Sequence, residues 1–227
     1  ISNLCTEIFQ LQETSIIKDY EEEDIIKRDI SCNLGSLNIT NVMGSKKVKD
    51  SIYTAMDALT FVSDYTDIKN APGVRKANRE LHSVGLGAMN LNGYLAKNGI
   101  AYDSEEAKDF ANVFFMMMNY YTLKKSMYIA RARKEKFKDF EKSEYAKGTY
   151  FDKYTEQDYY PQTDKVKALF EGIKIPNKEN WMRLKLYVQE NGLYNAYRLA
   201  IAPTQSISYI QNATSSVMPI VDKIERR

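Results

Sequence analysis

The hydrophobic positions change period several times along the chain, and each change marks an element. Ser31 to Val42 (SCNLGSLNITNV) places Leu37, Ile39 and Val42 at strand-like spacing and predicts a strand that Cys32 opens. From Ser45 the period becomes helical: Val48, Ile52, Ala55, Met56, Leu59 and Val62 recur at steps of three and four. Pro72 suits a helix start, and Gly73 to Lys97 keeps helical spacing despite Gly85, Gly87 and Gly93. Glycine inside a helix costs about 1 kcal/mol relative to alanine, so these three are read as points of close backbone packing.

Asp103-Ser104-Glu105-Glu106 predicts the cap and acidic first turn of a long helix reaching about Lys134. Phe110, Val113, Phe114, Met117, Tyr121 and Met127 form its apolar side, a Met and aromatic stripe read as core. Residues 135–160 predict short helices joined by surface loops, and 20–29 a charged surface connection. Two further helical stretches lie near 162–171 and 177–191, the second stopped by Asn191-Gly192. Neither repeats nor a linker divides the chain, so it reads as one unit.

Composition narrows the function classes. With 44% hydrophobic residues among 227, a sizeable core can be buried; a net charge of +2 gives no electrostatic case for nucleic acid or an anionic membrane. No apolar run reaches membrane-span length. Two cysteines argue against a secreted disulfide scaffold, and one His with two Cys cannot supply an ordinary zinc site. The basic run Arg131 to Lys138 reads as a solvated helix end. Ile1-Ser2-Asn3 at one end and Glu225-Arg226-Arg227 at the other give the expectation that both ends fall inside something longer.

Three segments could carry chemistry. In an extended Asn3-Leu4-Cys5-Thr6-Glu7, positions 3, 5 and 7 share a face, presenting an amide, a thiol and a carboxylate together. The amide can bind a substrate hydroxyl, the carboxylate can take its proton, and the thiol can act as nucleophile or hydrogen abstractor. The plainer reading is a buried cysteine between polar neighbours. Cys32 likewise reads as core or as redox-active, and its pairing with Cys5 stays open on sequence alone. Pro203-Thr204-Gln205-Ser206-Ile207-Ser208 offers hydroxyls and backbone amides suited to a phosphate, without the signature of a Walker loop; it also resembles an ordinary turn.

Taken in order, NLCTEIFQ, SCNLGSLNI, APGVRKANRELHSVGLGAMNL, the FFMMMNYY helix and LAIAPTQSISYIQNATSSVMPIVDKIERR resemble the large, catalytic subunit of class I ribonucleotide reductase, nearest to its class Ib branch. The resemblance covers essentially the whole chain. It implies an α/β fold: part of a ten-stranded α/β barrel of the ribonucleotide reductase and glycyl radical enzyme type, helix-rich and incomplete here, with a finger loop carrying the radical cysteine. It implies that Cys5 becomes a thiyl radical and abstracts the 3′ hydrogen of ribose, that Glu7 takes the 3′-hydroxyl proton and that Asn3 binds the hydroxyls, Leu4 and Thr6 completing that substrate contact. Cys32 is implied as half of a redox pair whose other half lies before Ile1. Pro203, Thr204, Gln205, Ser206 and Ile207 are implied to hold the diphosphate.

The same resemblance implies no cofactor bound directly, a radical supplied by a dimetal-tyrosyl small (beta) subunit, and a thioredoxin- or glutaredoxin-like reductant. The implied partners are a ribonucleoside diphosphate, that small subunit and complementary segments of the large subunit, in a bacterial cytoplasm. A non-catalytic helical interaction module and a cobalamin-dependent class II reductase are the competing expectations. Tyr159-Tyr160 is not read as a radical relay, and neither is Tyr120-Tyr121, which falls within a core-patterned helix.

Overall fold

The computed structural model describes residues 7–222. Its framework is a small parallel sheet backed by helices. The order is β1 (Asn33–Asn38), α1 (Ile39–Ser45), α2 (Val48–Tyr65), α3 (Pro72–Leu81), β2 (Val84–Met89), α4 (Leu91–Lys97) and α5 (Glu105–Arg133). Then come α6 (Glu144–Lys147), α7 (Asp152–Glu156), α8 (Asp164–Leu169), α9 (Lys178–Asn191) and α10 (Gln205–Ile210). Short 3-10 turns at Phe140–Lys142 and Thr149–Phe151 flank α6.

β1 and β2 pair in parallel, Asn33 opposite Val84 through Asn38 opposite Met89. On the far side of β2, residues 197–200 run parallel to it: Leu86 bridges Leu199, and the Leu86 amide donates to the Arg198 carbonyl at 2.9 Å. Parallel strands joined by helices are the wall of an α/β barrel.

Two predicted segments resolve differently. The strand from Ser31 stops at Asn38, whose side chain accepts from the Thr40 amide at 3.1 Å and caps α1. Ile39, Val42 and Met43 are then buried at helical spacing. The helical reading of Gly73 to Lys97 breaks into α3, β2 and α4. His82 (φ +46°) and Asn90 (φ +70°) take left-handed conformations on either side of β2 and end helical winding there. The close packing read from the glycines is present, but Gly85 and Gly87 serve it within a strand. A Cβ on Gly85 would lie 2.6 Å from Leu34 Cδ2 and 2.9 Å from Ala200 Cβ, and one on Gly87 would run into the Ala200 carbonyl.

The other elements form as their patterns predict. Ser104 caps α5, accepting from the Ala107 amide at 3.2 Å, with Glu105 and Glu106 in the first turn. Met116, Met117 and Met118 are all buried, so α5 is enclosed by α2, α8 and α9 rather than merely amphipathic. Phe110 meets Tyr94, Phe114 and Phe170, and Tyr120 meets Trp181, which stacks on Tyr154 at 4.0 Å. Arg198 lies fully enclosed between the sheet margin and α5, donating to Thr122 Oγ1 (2.9 Å), Asn119 Oδ1 (3.4 Å) and the Tyr145 hydroxyl (3.0 Å). The run from Arg131 ends the helix in ion pairs, Arg133 with Asp64 and Lys138 with Glu80. Among the described residues no helix is long and apolar enough to cross a membrane.

Glycine substitutions test this packing. Gly87→Ala should destabilise by about 1–3 kcal/mol, the usual range for overpacking. Gly44→Ala, in α1 with nothing within 4 Å of the added Cβ, should be neutral or stabilise by up to about 1 kcal/mol. Chemical denaturation midpoints of the two variants decide it; equal effects would contradict the close approach.

Candidate active site

Cys32 immediately precedes β1 and is half-buried. Its Sγ lies 3.2 Å from the position a Cβ on Gly85 would occupy, so the thiol sits against bare backbone of β2. Its neighbours are tied down by one buried amide. Asn78 of α3 accepts from Ser31 Oγ at 3.1 Å and from Asn33 Nδ2 at 3.4 Å, and also from Ser63 Oγ at 2.7 Å. The Cys32 backbone is thereby fixed on both sides through α3. Asn78 carried no mark in the sequence, since its role arises only when α2, α3 and β1 meet.

Of the amino-terminal candidates, Asn3, Leu4, Cys5 and Thr6 lie outside the described residues. Glu7 is half-buried at the start of the described chain. The stretch after it is anchored at two points: Gln10 Nε2 donates to the Ser31 carbonyl at 2.6 Å, and the Leu11 amide donates to the Tyr197 hydroxyl at 3.1 Å. Residues 10 and 11 thus bridge the start of β1 to the start of the 197–200 strand. The expected charged connection, 20–29, turns back antiparallel at Ile16 and Ile25, and its Arg28 is buried against Glu80 at 3.3 Å.

Pro203–Ile207 follows the 197–200 strand directly and runs into α10. Thr204 is buried; its Oγ1 accepts from the Ser216 amide at 2.6 Å, and its carbonyl accepts from the Ser208 amide at 2.7 Å. Ser208 is also buried and donates to the Gln205 carbonyl. Ser206 is the hydroxyl of the three that faces solvent, beside exposed Pro203, Gln205 and Ile207. The first amides of a helix have no intrahelical partner, and ligands of parallel α/β sheets gather at the carboxyl ends of the strands, where this loop lies. Cys32 stands at the opposite, amino-terminal end of β1, so the two candidates are separated along the strands but share one sheet.

Residues 1–227 match the family described as ribonucleotide reductase, barrel domain. The chain belongs to the ribonucleotide reductase barrel family. It is 56% identical, over its whole length, to the ribonucleoside-diphosphate reductase subunit alpha of Bacillus subtilis, of which it covers 32%. The corresponding protein of Bacillus phage SPbeta, named ribonucleoside-diphosphate reductase nrdEB subunit alpha, is 52% identical, again across the whole chain and 21% of the relative. That of Mycoplasma pneumoniae is 46% identical, with the whole chain and 32% of the relative covered. The chain thus spans about a third or less of the length of these curated relatives. The sheet of parallel strands backed by helices is what the barrel fold requires.

The lone histidine is taken up by a cluster away from these candidates. His82 stacks on Tyr194 at 4.0 Å, with Asp64 Oδ1 3.7 Å from Nδ1 and Glu135 Oε1 3.4 Å from Nε2. The Tyr194 hydroxyl donates to Asp64 at 2.7 Å, and Arg133 lies over the Tyr194 ring. Burial pushes the His82 pKa below its ordinary value and outweighs the two carboxylates that pull it up. A histidine depressed in the folded state takes up its proton more readily when unfolded. Its contribution is therefore present above about pH 6.5 and lost as pH falls toward the folded pKa. His82→Asn, which tolerates the left-handed backbone, should narrow the stability gap between pH 8 and pH 5.5 in thermal unfolding; an unchanged gap would contradict this assignment.

Proposed function

We propose that the chain is a segment of the catalytic barrel domain of a ribonucleoside-diphosphate reductase large subunit, of the class Ib type. It would reduce ribonucleoside diphosphates to deoxyribonucleoside diphosphates together with the complementary segments of that subunit. The observation that carries the reading is the sheet itself, with Cys32 seated on the Gly85 backbone of β2 and the Pro203–Ile207 loop issuing from the strand on β2's other edge. Whole-length similarity to named alpha subunits supports it.

In this reading Cys5, as a thiyl radical, takes the 3′ hydrogen atom from ribose. Glu7 accepts the 3′-hydroxyl proton, and Asn3 orients the hydroxyls, with Leu4 and Thr6 beside them. The 2′-hydroxyl leaves as water. Two electrons and the protons needed come from Cys32 and a second cysteine outside this sequence, which end as a disulfide. Cys5 returns its hydrogen to the 3′ carbon and regains the radical. Pro203, Thr204, Gln205, Ser206 and Ile207 hold the diphosphate away from the reacting carbons. The radical originates in a separate dimetal-tyrosyl small subunit, and a thioredoxin- or glutaredoxin-like protein reduces the disulfide, which places the work in a cytoplasm. Exposed Leu34, Ile201 and Ile207 are apolar surface that the complementary barrel segments would cover.

The ordering of steps gives the test. In the full-length large subunit, assayed with its small subunit and a reductant, Cys5→Ser should abolish deoxynucleotide formation and leave the 3′ carbon–hydrogen bond of the substrate uncleaved. Cys32→Ser should abolish product formation while 3′ cleavage persists. Normal product formation by Cys5→Ser would overturn the proposal.

A further inference from the structure

At the carboxyl ends of the strands, one side chain ties together three segments that the sequence keeps far apart. Asn90 follows β2 directly, is buried, and holds φ at +70°. Its Nδ2 donates to Asn38 Oδ1 at 3.2 Å and to Thr40 Oγ1 at 2.9 Å, where β1 ends and α1 begins. Its Oδ1 accepts from the Thr214 amide at 3.0 Å and from the Thr214 hydroxyl at 3.3 Å, and its own amide donates to the Thr214 carbonyl at 3.0 Å. Thr214 Oγ1 in turn accepts from the Gly93 amide at 3.2 Å, and Asn38 Nδ2 donates to Gln211 Oε1 at 3.2 Å.

The segment so clasped, 211–216, leads back to the Pro203–Ile207 loop. The Ser216 amide donates to Thr204 Oγ1, and Ser215 Oγ lies 3.5 Å from that same oxygen. Asn212 (φ +48°) and Ser216 (φ +50°) both occupy the left-handed region without being glycine. Such backbone persists where surrounding contacts determine it. Asn90 and Asn38 provide those contacts on one side, and Thr204 on the other. Because every amide group of Asn90 is engaged, the clasp sets the distance between the end of β2 and the loop that follows the 197–200 strand.

We infer that Asn90 is a positioning residue for substrate diphosphate, acting through Thr214 and Ser216 on the Pro203–Ile207 loop; this rests on the reading of that loop as the diphosphate site. Asn90 acts on the placement of loop groups and does not take part in the radical chemistry. Loss of the clasp therefore weakens binding of the phosphate-bearing substrate while turnover of bound substrate is retained.

The test uses the full-length subunit with its small subunit. Asn90→Gly keeps the left-handed backbone and removes the four side-chain bonds. It should raise KM for a ribonucleoside diphosphate about tenfold, the effect of losing roughly one net buried hydrogen-bond contribution. Its kcat should stay within about twofold of wild type. The inhibition constant of the matching nucleoside, which lacks the diphosphate, should not move. Thr214→Val, nearly isosteric and keeping the backbone ties, should raise KM by a smaller factor and decides the matter if Asn90→Gly does not fold. An unchanged KM in both variants, or an equal loss for nucleoside and diphosphate, overturns the inference. Ser206→Asp separates the two readings, since it places a carboxylate in the loop. If it leaves KM unchanged, the diphosphate loop itself is wrongly assigned; if it raises KM while Asn90→Gly does not, only the role of Asn90 fails.

Discussion

The arrangement depends on how closely the 197–200 strand approaches β2. Two neighbouring backbones can pack this tightly only where no side chain stands between them, and Gly85 and Gly87 meet that condition. At Gly85 the vacated space receives Leu34, Ala200 and the Cys32 thiol; at Gly87 it receives the Ala200 carbonyl. Both candidate functional segments hang from this contact. One precedes β1, and the other issues from the strand on the opposite edge. Any side chain added in the middle strand would move the two relative to each other, which links a local packing rule to the geometry of the site.

Neutral amides hold the site's periphery in place more than charges do. Asn78 fixes the residues on either side of Cys32, and Asn90 fixes the loop segment beyond α10. An amide both donates and accepts, so one buried residue can satisfy several backbone and side-chain groups without the desolvation cost of an ion. Arg198 is charged and buried, yet it too bonds neutral oxygens, those of Asn119, Thr122 and Tyr145. It pins the 197–200 strand, which leads into Pro203–Ile207, against the buried helix α5. The surface ion pairs at the end of α5 are of a different kind: partly exposed, screened by solvent and individually small in effect.

The long helix α5 was legible in the chain because its cap, its acidic first turn and its apolar spacing all point the same way. The strand boundaries were not. SCNLGSLNITNV reads as one extended run until Asn38 turns its side chain onto the Thr40 amide and starts α1. VGLGAM hides its period, since all six of its positions are buried and Gly85, Gly87 and Ala88 suit neither template strongly. It becomes a strand because β1 and 197–200 supply its hydrogen-bond partners on both edges. The ordered motifs around Cys5, Cys32 and Pro203–Ile207 identified the family, yet neither Asn78 nor Asn90 drew notice among them.

The sequence by itself determined the family, through its ordered motifs, and the helical core, because apolar spacing and caps are local properties that each segment carries wherever it sits. The tertiary structure alone decided that Gly73 to Lys97 contains a strand, that Cys32 rests on the backbone at Gly85, and that Asn90 holds residues more than a hundred positions away. Those features depend on hydrogen bonds and close contacts between segments distant in the chain, and no local pattern encodes a partner that only folding brings near.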